Sequence, residues 1–178
     1  MRDRPGGDEF FTDAVWRDLA ILEEKGLSLD VLINNFTIDE VTEVAKRLPD
    51  LKIMINHLGG LNISNDPFDE DWKAAMEKAA QYENMYCKVS GIFQRAVVKP
   101  TPKNQSFYSP VFKVVYDAFG EDRIVYGSNW PVTDRGGRYS EQLSIIRGYF
   151  NDLGMPLVSR LECTGLLHAK VNCYPRTA

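Results

Sequence analysis

Apolar positions change their period along this chain, and each change marks an element. Between Glu9 and Lys25 they recur at helical spacing, with Phe11, Val15, Leu19 and Leu22 on one face, and Gly26 stands where such a helix ends. Leu29 to Ile33 is a short apolar run and predicts a strand. Thr37-Ile38-Asp39-Glu40 has the form of a capping box, in which the Thr37 hydroxyl takes an orphan N–H and Glu40 reaches back. The helix behind it aligns Val41, Val44, Ala45 and Leu48. A second strand is predicted from Leu51 to Asn56, running into His57-Leu58-Gly59-Gly60. A helix from Asp69 to Tyr82 turns Trp72, Met76, Ala79 and Ala80 inward. Met85 to Ser90 reads as a third strand ending at Gly91. A loop rich in Pro, Lys and Asn runs from Gln94 to Gln105, and Ser109-Pro110 then opens a helix to Phe119. Ile124 to Ser128 is a fourth strand, Ser140 to Leu153 a helix, and Glu162 to Tyr174 a last helix.

Strands alternate with helices and no low-complexity linker divides them, so residues 1–178 are expected to form a single α/β domain with a parallel sheet. A closed (β/α)8 barrel needs eight strands and typically about 250 residues. The pattern therefore fits either a small open α/β sheet or half of a barrel. Hydrophobic residues make up 44% and charged residues 26% of the chain, as in ordinary soluble domains. A net charge of −4 offers no basis for nucleic-acid binding, and no apolar run has the length of a membrane span. The stretch from Met1 to Asp8 has no apolar segment behind it and is not read as a signal peptide. Cys87, Cys163 and Cys173 lack metal-ligand spacing and read as reduced thiols, which places the protein in the cytoplasm. Cys87 lies mid-strand and reads as a small core residue.

Polar residues gather at the carboxyl ends of the strands: Asn34 and Asn35, His57, Ser90 and Asn129. In α/β folds that rim is where ligands bind. His57 can ligate a metal, polarise a carbonyl or move a proton, and a histidine satisfied by a backbone carbonyl stands level with those roles. Lys88 interrupts the third strand. It either points into a polar barrel interior toward a carboxylate or anionic substrate, or blunts a sheet edge, and a four-strand chain favours the edge. Arg95, Arg135 and Arg138 lie in loops and can hold a carboxylate bidentately, although a single loop arginine is more often just solvated. Trp130 suits either an apolar pocket wall or the core, and His168 reads as a surface residue. Gly-x-Gly-x-x-Gly, P-loop, Gly-x-Ser-x-Gly and His-Glu-x-x-His motifs do not occur, so nucleotide-cofactor and serine-hydrolase readings lose support.

Taken in order, these pieces resemble the amidohydrolase-2 family in its lactonase-like branch. Phe10-Phe11 through Trp16-Arg17 and Leu27 to Leu32 resemble the fifth unit. Ile53-Met54-Ile55-Asn56-His57-Leu58-Gly59 resembles the sixth strand, Tyr86-Cys87-Lys88-Val89-Ser90-Gly91 the seventh, and Arg123 to Val132 the eighth. The resemblance implies a TIM-barrel-type fold of about four to five βα units, the C-terminal half of a (β/α)8 barrel. It also implies a hydrolase in which water attacks the activated carbonyl of a small lactone or related carboxylic substrate. His57 would polarise the carbonyl and Asn129 would orient the water. Ser90 and Trp130 would line the pocket, and Arg135 or Arg138 would hold a substrate carboxylate. No cofactor is certain. A divalent metal such as zinc is expected in a complete barrel, with His57 a ligand only if the missing half supplies others.

Two departures stand out. The family's first-strand His-x-His pair has no counterpart, and Asn129 occupies the position of the eighth-strand aspartate. An amide cannot take a proton, and losing a general base typically costs ~10²–10⁴ in rate. A non-catalytic binding half-barrel and a decarboxylase of the same superfamily are therefore the alternatives. Half a barrel would expose two strand edges. The expected partners are a small-molecule substrate together with a second copy of the chain or a chain supplying the missing half; the third reading, a sequence that is part of a longer protein, is the favoured one. Neither nucleic acid nor membrane is expected as a partner.

Overall fold

The computed structural model describes residues 10–33, 36–66 and 69–154. Asn34, Asn35, the expected helix from Glu162 to Tyr174, Cys163, His168 and Cys173 lie outside these described residues. Helix α1 (Asp13–Glu24) starts after Glu9 because Thr12 takes the N-cap, its hydroxyl accepting from the Val15 N–H. It ends where Gly26 and Leu27 donate their N–H groups back to the Glu23 and Leu22 carbonyls. Strand β1 (Ser28–Val31) follows, then α2 (Ile38–Arg47) behind the expected capping box. There the Glu40 N–H donates to Thr37 Oγ1 at 3.2 Å and the Thr37 N–H donates to Glu40 Oε2 at 2.6 Å. Strand β2 (Lys52–Ile55) leads to α3 (Glu70–Ala79), capped by Asp69. Strand β3 (Met85–Ser90) has the predicted bounds.

Two differences come next. A one-turn helix α4 (Ile92–Arg95) occupies the start of the expected loop, and α5 (Gln105–Phe119) begins before Ser109-Pro110, so Pro110 lies inside it. Proline takes away one N–H donor there, while the Ser109 hydroxyl donates to the Gln105 carbonyl at 3.0 Å. Strand β4 (Ile124–Gly127) and helix α6 (Tyr139–Asp152) complete the described chain.

The four strands form one parallel sheet in the order β1-β2-β3-β4. Each strand lies beside its sequence neighbour, as in successive units of a (β/α) barrel. Side chains alternate between faces. Leu29, Val31, Ile53, Ile55, Met85, Cys87, Val89 and Ile124 join the helices' apolar core with Trp72, Met76, Phe112 and Phe150. Burying each of the larger ones contributes roughly 1.5–3 kcal/mol. Cys87 is fully buried, and burial pushes its thiol pKa up, as suits a packing residue.

The opposite face carries Asp30, Met54, Lys88, Ser90 and Gly127, by the alternation and the strand register. Lys88 Nζ bonds Asp30 Oδ2 at 2.7 Å across the intervening strand β2. Strand β3 has a neighbour on each side, so Lys88 is no edge-strand lysine; it meets a carboxylate on the barrel-interior face. At the other end of the strands, Asn84 donates to the carbonyls of Ala45, Leu48 and Leu51, and Arg123 to those of Ala80 and Tyr82. These are carbonyls of helix ends and turns, and those of Leu48 and Tyr82 also accept from the Leu51 and Met85 N–H groups. No helix among the described residues is long and apolar enough to cross a membrane.

Candidate active site

The carboxyl ends of β2, β3 and β4 converge on one point, Gly91. After β2 the chain turns tightly. His57, Leu58 and Gly59 have φ of +52°, +56° and +61°. Gly59 permits the turn because a Cβ there would lie 2.9 Å from Ile38 Cδ1 and 3.2 Å from Trp72 Nε1. Trp72 Nε1 donates to the Leu58 carbonyl at 2.8 Å, which ties the turn to α3.

Arg95 secures the same turn from the other side. Its guanidinium donates to Leu61 O at 2.6 Å, to Asn62 Oδ1 at 2.7 Å and to Gly60 O. The loops after β2 and β3 also pair directly. The Ile63 N–H donates to Arg95 O at 2.7 Å, and the Val97 N–H to Ile63 O at 2.9 Å. Arg95 is therefore not simply a solvated loop residue: its Nε and Nη2 groups are engaged by the chain's own acceptors.

At the end of β3, Ser90 is buried and its Oγ lies 2.7 Å from His57 Nδ1. Gly91 follows with φ +65°. A Cβ at Gly91 would sit 3.2 Å from both His57 Nδ1 and Asn129 Nδ2, and 3.6 Å from Gln94 Oε1. Beyond β4, Gln142 of α6 donates to Ser128 O at 2.8 Å, and the Thr133 hydroxyl donates to the same carbonyl. The Thr133 N–H donates to Asn129 O at 3.0 Å. This network holds Asn129 at φ +54°. Non-glycine residues with positive φ are His57, Leu58 and Asn129 among the described residues. Such backbone costs roughly 1–2 kcal/mol per residue and persists where surrounding structure over-determines it, commonly at functional sites.

Burial holds the His57 pKa below its ordinary value. The positive charges of Lys88 and then Arg95 add to the effect, and Asp30 opposes it. The half-buried imidazole is thus kept neutral at neutral pH. With Nδ1 engaged by Ser90, Nε2 is the ring nitrogen with no hydrogen bond among the described residues. A neutral ring in that state donates from Nε2 if Ser90 donates to Nδ1, and accepts there if Nδ1 carries the proton.

The rest of the expected site divides. Trp130 is 66% exposed beside Asn129, so it is not a core residue and its indole is free to form a wall. Arg135 and Arg138 are exposed. Arg138 lines a shallow depression with Lys103, Asp134, Tyr139 and Glu141, which shares no residue with the group around Gly91. Gln94 was not expected. It accepts from Asn129 Nδ2 at 3.4 Å and donates to the Val132 carbonyl at 2.6 Å. The signal that could have found it is its place one turn after Ser90-Gly91, on the same rim as Asn129.

No group of three His, Cys, Asp or Glu side chains that could hold a metal occurs among the described residues. Zinc sites take at least three protein ligands, and here one imidazole stands beside an amide and two cations. These residues do not fit a metal by themselves.

A family profile described as Amidohydrolase matches residues 2–147. The chain is 29% identical over 136 residues to an L-fucono-1,5-lactonase of Burkholderia ambifaria, covering 72% of this chain and 46% of that protein. It is 34% identical over 131 residues to an L-rhamnono-gamma-lactonase of Scheffersomyces stipitis, covering 65% and 39%. The chain thus spans about half the length, or less, of these curated relatives. A crystal structure of an amidohydrolase from Burkholderia multivorans with bound zinc superposes with a TM-score of 0.68 at 22% identity, over 79% of this chain and 51% of that one. That likeness is one of fold: the sheet corresponds to half of a TIM barrel. With the family match over most of its length, the chain belongs to the amidohydrolase family.

Proposed function

We propose that the rim site around Gly91 binds a small sugar-type lactone and promotes its hydrolysis. The observation that carries this reading is the convergence of His57, Ser90 and Asn129 from three strand ends. Two of the three hold backbone conformations rarely adopted without cause. The lactone carbonyl would receive the His57 Nε2–H, with Ser90 donating to Nδ1 and so fixing the tautomer. Asn129 would hold the attacking water through its amide oxygen. Water adds to the carbonyl carbon, the bond to the ring oxygen breaks, and that oxygen ends protonated in a hydroxy acid. Trp130 would pack against the ring's C–H face, and Arg135 or Arg138 would meet a carboxylate on the substrate's far end. A divalent metal in this reading requires ligands beyond the described residues, and no step above runs through one. The proposed setting is the cytoplasm, and a second copy or a chain carrying further barrel units would cover the open strand edges.

Ring opening of an aldonolactone followed by proton release tests this. Wild-type chain is expected to exceed the uncatalysed rate, and His57→Ala to abolish the excess. A specific observation favours a second reading, a binding site without turnover: Asn129 cannot act as a base. Saturable lactone binding without acceleration would establish that reading instead. Carbon dioxide release from an aromatic or enoic acid, with no ring opening, would indicate a decarboxylase.

A further inference from the structure

We infer that Gln94 is a positioning residue that sets the direction of the Asn129 amide, presenting its oxygen to the pocket as an acceptor for the attacking water. This rests on the proposed lactone site. The argument is a chain of hydrogen-bond polarity. The Val132 carbonyl can only accept, and it lies 2.6 Å from the Gln94 amide, so the group facing it is the nitrogen Nε2. That leaves Gln94 Oε1 directed at Asn129, 3.4 Å from the Asn129 amide. Opposite a carbonyl oxygen the favourable group is a donor, so Asn129 presents Nδ2 to Gln94 and has its Oδ1 left over. Asn129 Oδ1 has no hydrogen-bond partner among the described residues. The polarity thus runs in one direction from a fixed backbone carbonyl to the pocket.

The same polarity explains why an amide rather than a carboxylate suits position 129 here. With aspartate at that position, both side-chain oxygens accept, and one would face Gln94 Oε1 with no proton between them. Gln94 cannot turn over to help, because doing so would set its oxygen against the Val132 carbonyl. Residues 94 and 129 are therefore matched. Gly91 allows the fit, since a side chain there would press on His57, Asn129 and Gln94 together.

A double-mutant cycle on the full chain tests this by thermal unfolding, well above the ordinary imidazole pKa of 6.5 so that His57 stays neutral. Asn129→Asp is expected to lower Tm by several degrees in the Gln94 background. In the Gln94→Met background the same substitution is expected to lower Tm by less than half as much. An equal drop in both backgrounds, or failure of both to fold, would overturn the inference. The second readout is kinetic: Gln94→Met is expected to reduce kcat for the lactone by about tenfold with little change in KM, the pattern of a contact made to the water and not to the ground-state substrate. A rise in KM at constant kcat would overturn the positioning role. A chain that opens no lactone would defeat the proposed activity alone, because the unfolding cycle reads the Gln94–Asn129 match without turnover.

Discussion

Ser90 and His57 satisfy one another across the ends of two adjacent strands, with Oγ and Nδ1 2.7 Å apart. Ser90 is 1% exposed, so its hydroxyl depends on the imidazole for its hydrogen bond. The imidazole depends on the hydroxyl for its ring orientation. Ser90→Ala is expected to destabilise the fold by about 1–2 kcal/mol, the range for losing one partner of a buried hydrogen bond. Urea denaturation measures this. A change within error would mean that the contact does not hold the ring.

The charge on His57 should respond to Lys88. Burial and then the Lys88 and Arg95 charges lower the imidazole pKa from 6.5, while Asp30 works against them. The folded state therefore disfavours the proton, and just below 6.5 the unfolded chain binds more protons than the native one. Stability from this group is complete above that value and is lost as pH falls through the depressed folded pKa. Lys88→Met removes a repelling charge and leaves Asp30 unpaired, and both changes raise the imidazole pKa. Ring-proton NMR titration is expected to show a wild-type midpoint below 6.5 and a higher one in Lys88→Met. An unchanged or lower midpoint in the variant would remove Lys88 from the account.

Gly91 is the point on which the site closes. Gly91→Ala forces a Cβ onto a residue at φ +65°, 3.2 Å from His57 Nδ1 and Asn129 Nδ2. The backbone alone costs roughly 1–2 kcal/mol, and the side chain must also push the imidazole or the amide aside. The expected result is a lowered melting temperature together with a shifted His57 ring signal. A lowered melting temperature with the His57 signal in place would show that Gly91 serves the backbone only.

Arg95 holds the His57 turn through acceptors at Gly60, Leu61 and Asn62. Arg95→Met keeps an apolar stem and removes the donors. Hydrogen exchange is expected to accelerate at the Ile63 and Val97 amides, which pair the two rim loops. Unaltered protection there would mean that the backbone bridge stands without the guanidinium.

Much of the fold and of the rim site is legible in the sequence. Met85–Ser90 has its predicted bounds because six residues of strand stand between helix and glycine signals. The Thr37-Glu40 box is a local motif and forms as written. His57, Ser90 and Asn129 meet because parallel strands put all their carboxyl ends on one rim. What escaped depends on distant partners or on elements too short to show a period. Helix α4 is a single turn, so Gln94 and Arg95 read as loop residues. Asp30 meets Lys88 from two strands away, a pairing that neither strand records alone. Pro110 suggested a helix start, and tertiary packing of Tyr108 carried α5 further back to Gln105.

The most direct test of the central claim, that a lactone occupies the site around Gly91, is an NMR titration with a sugar lactam that water does not open. The account predicts saturable shifts at the Gly91 amide, the His57 ring and the Trp130 indole, and their loss in His57→Ala. Shifts confined to another surface, such as the groove between Asn62 and Phe107, or none at all, would contradict it.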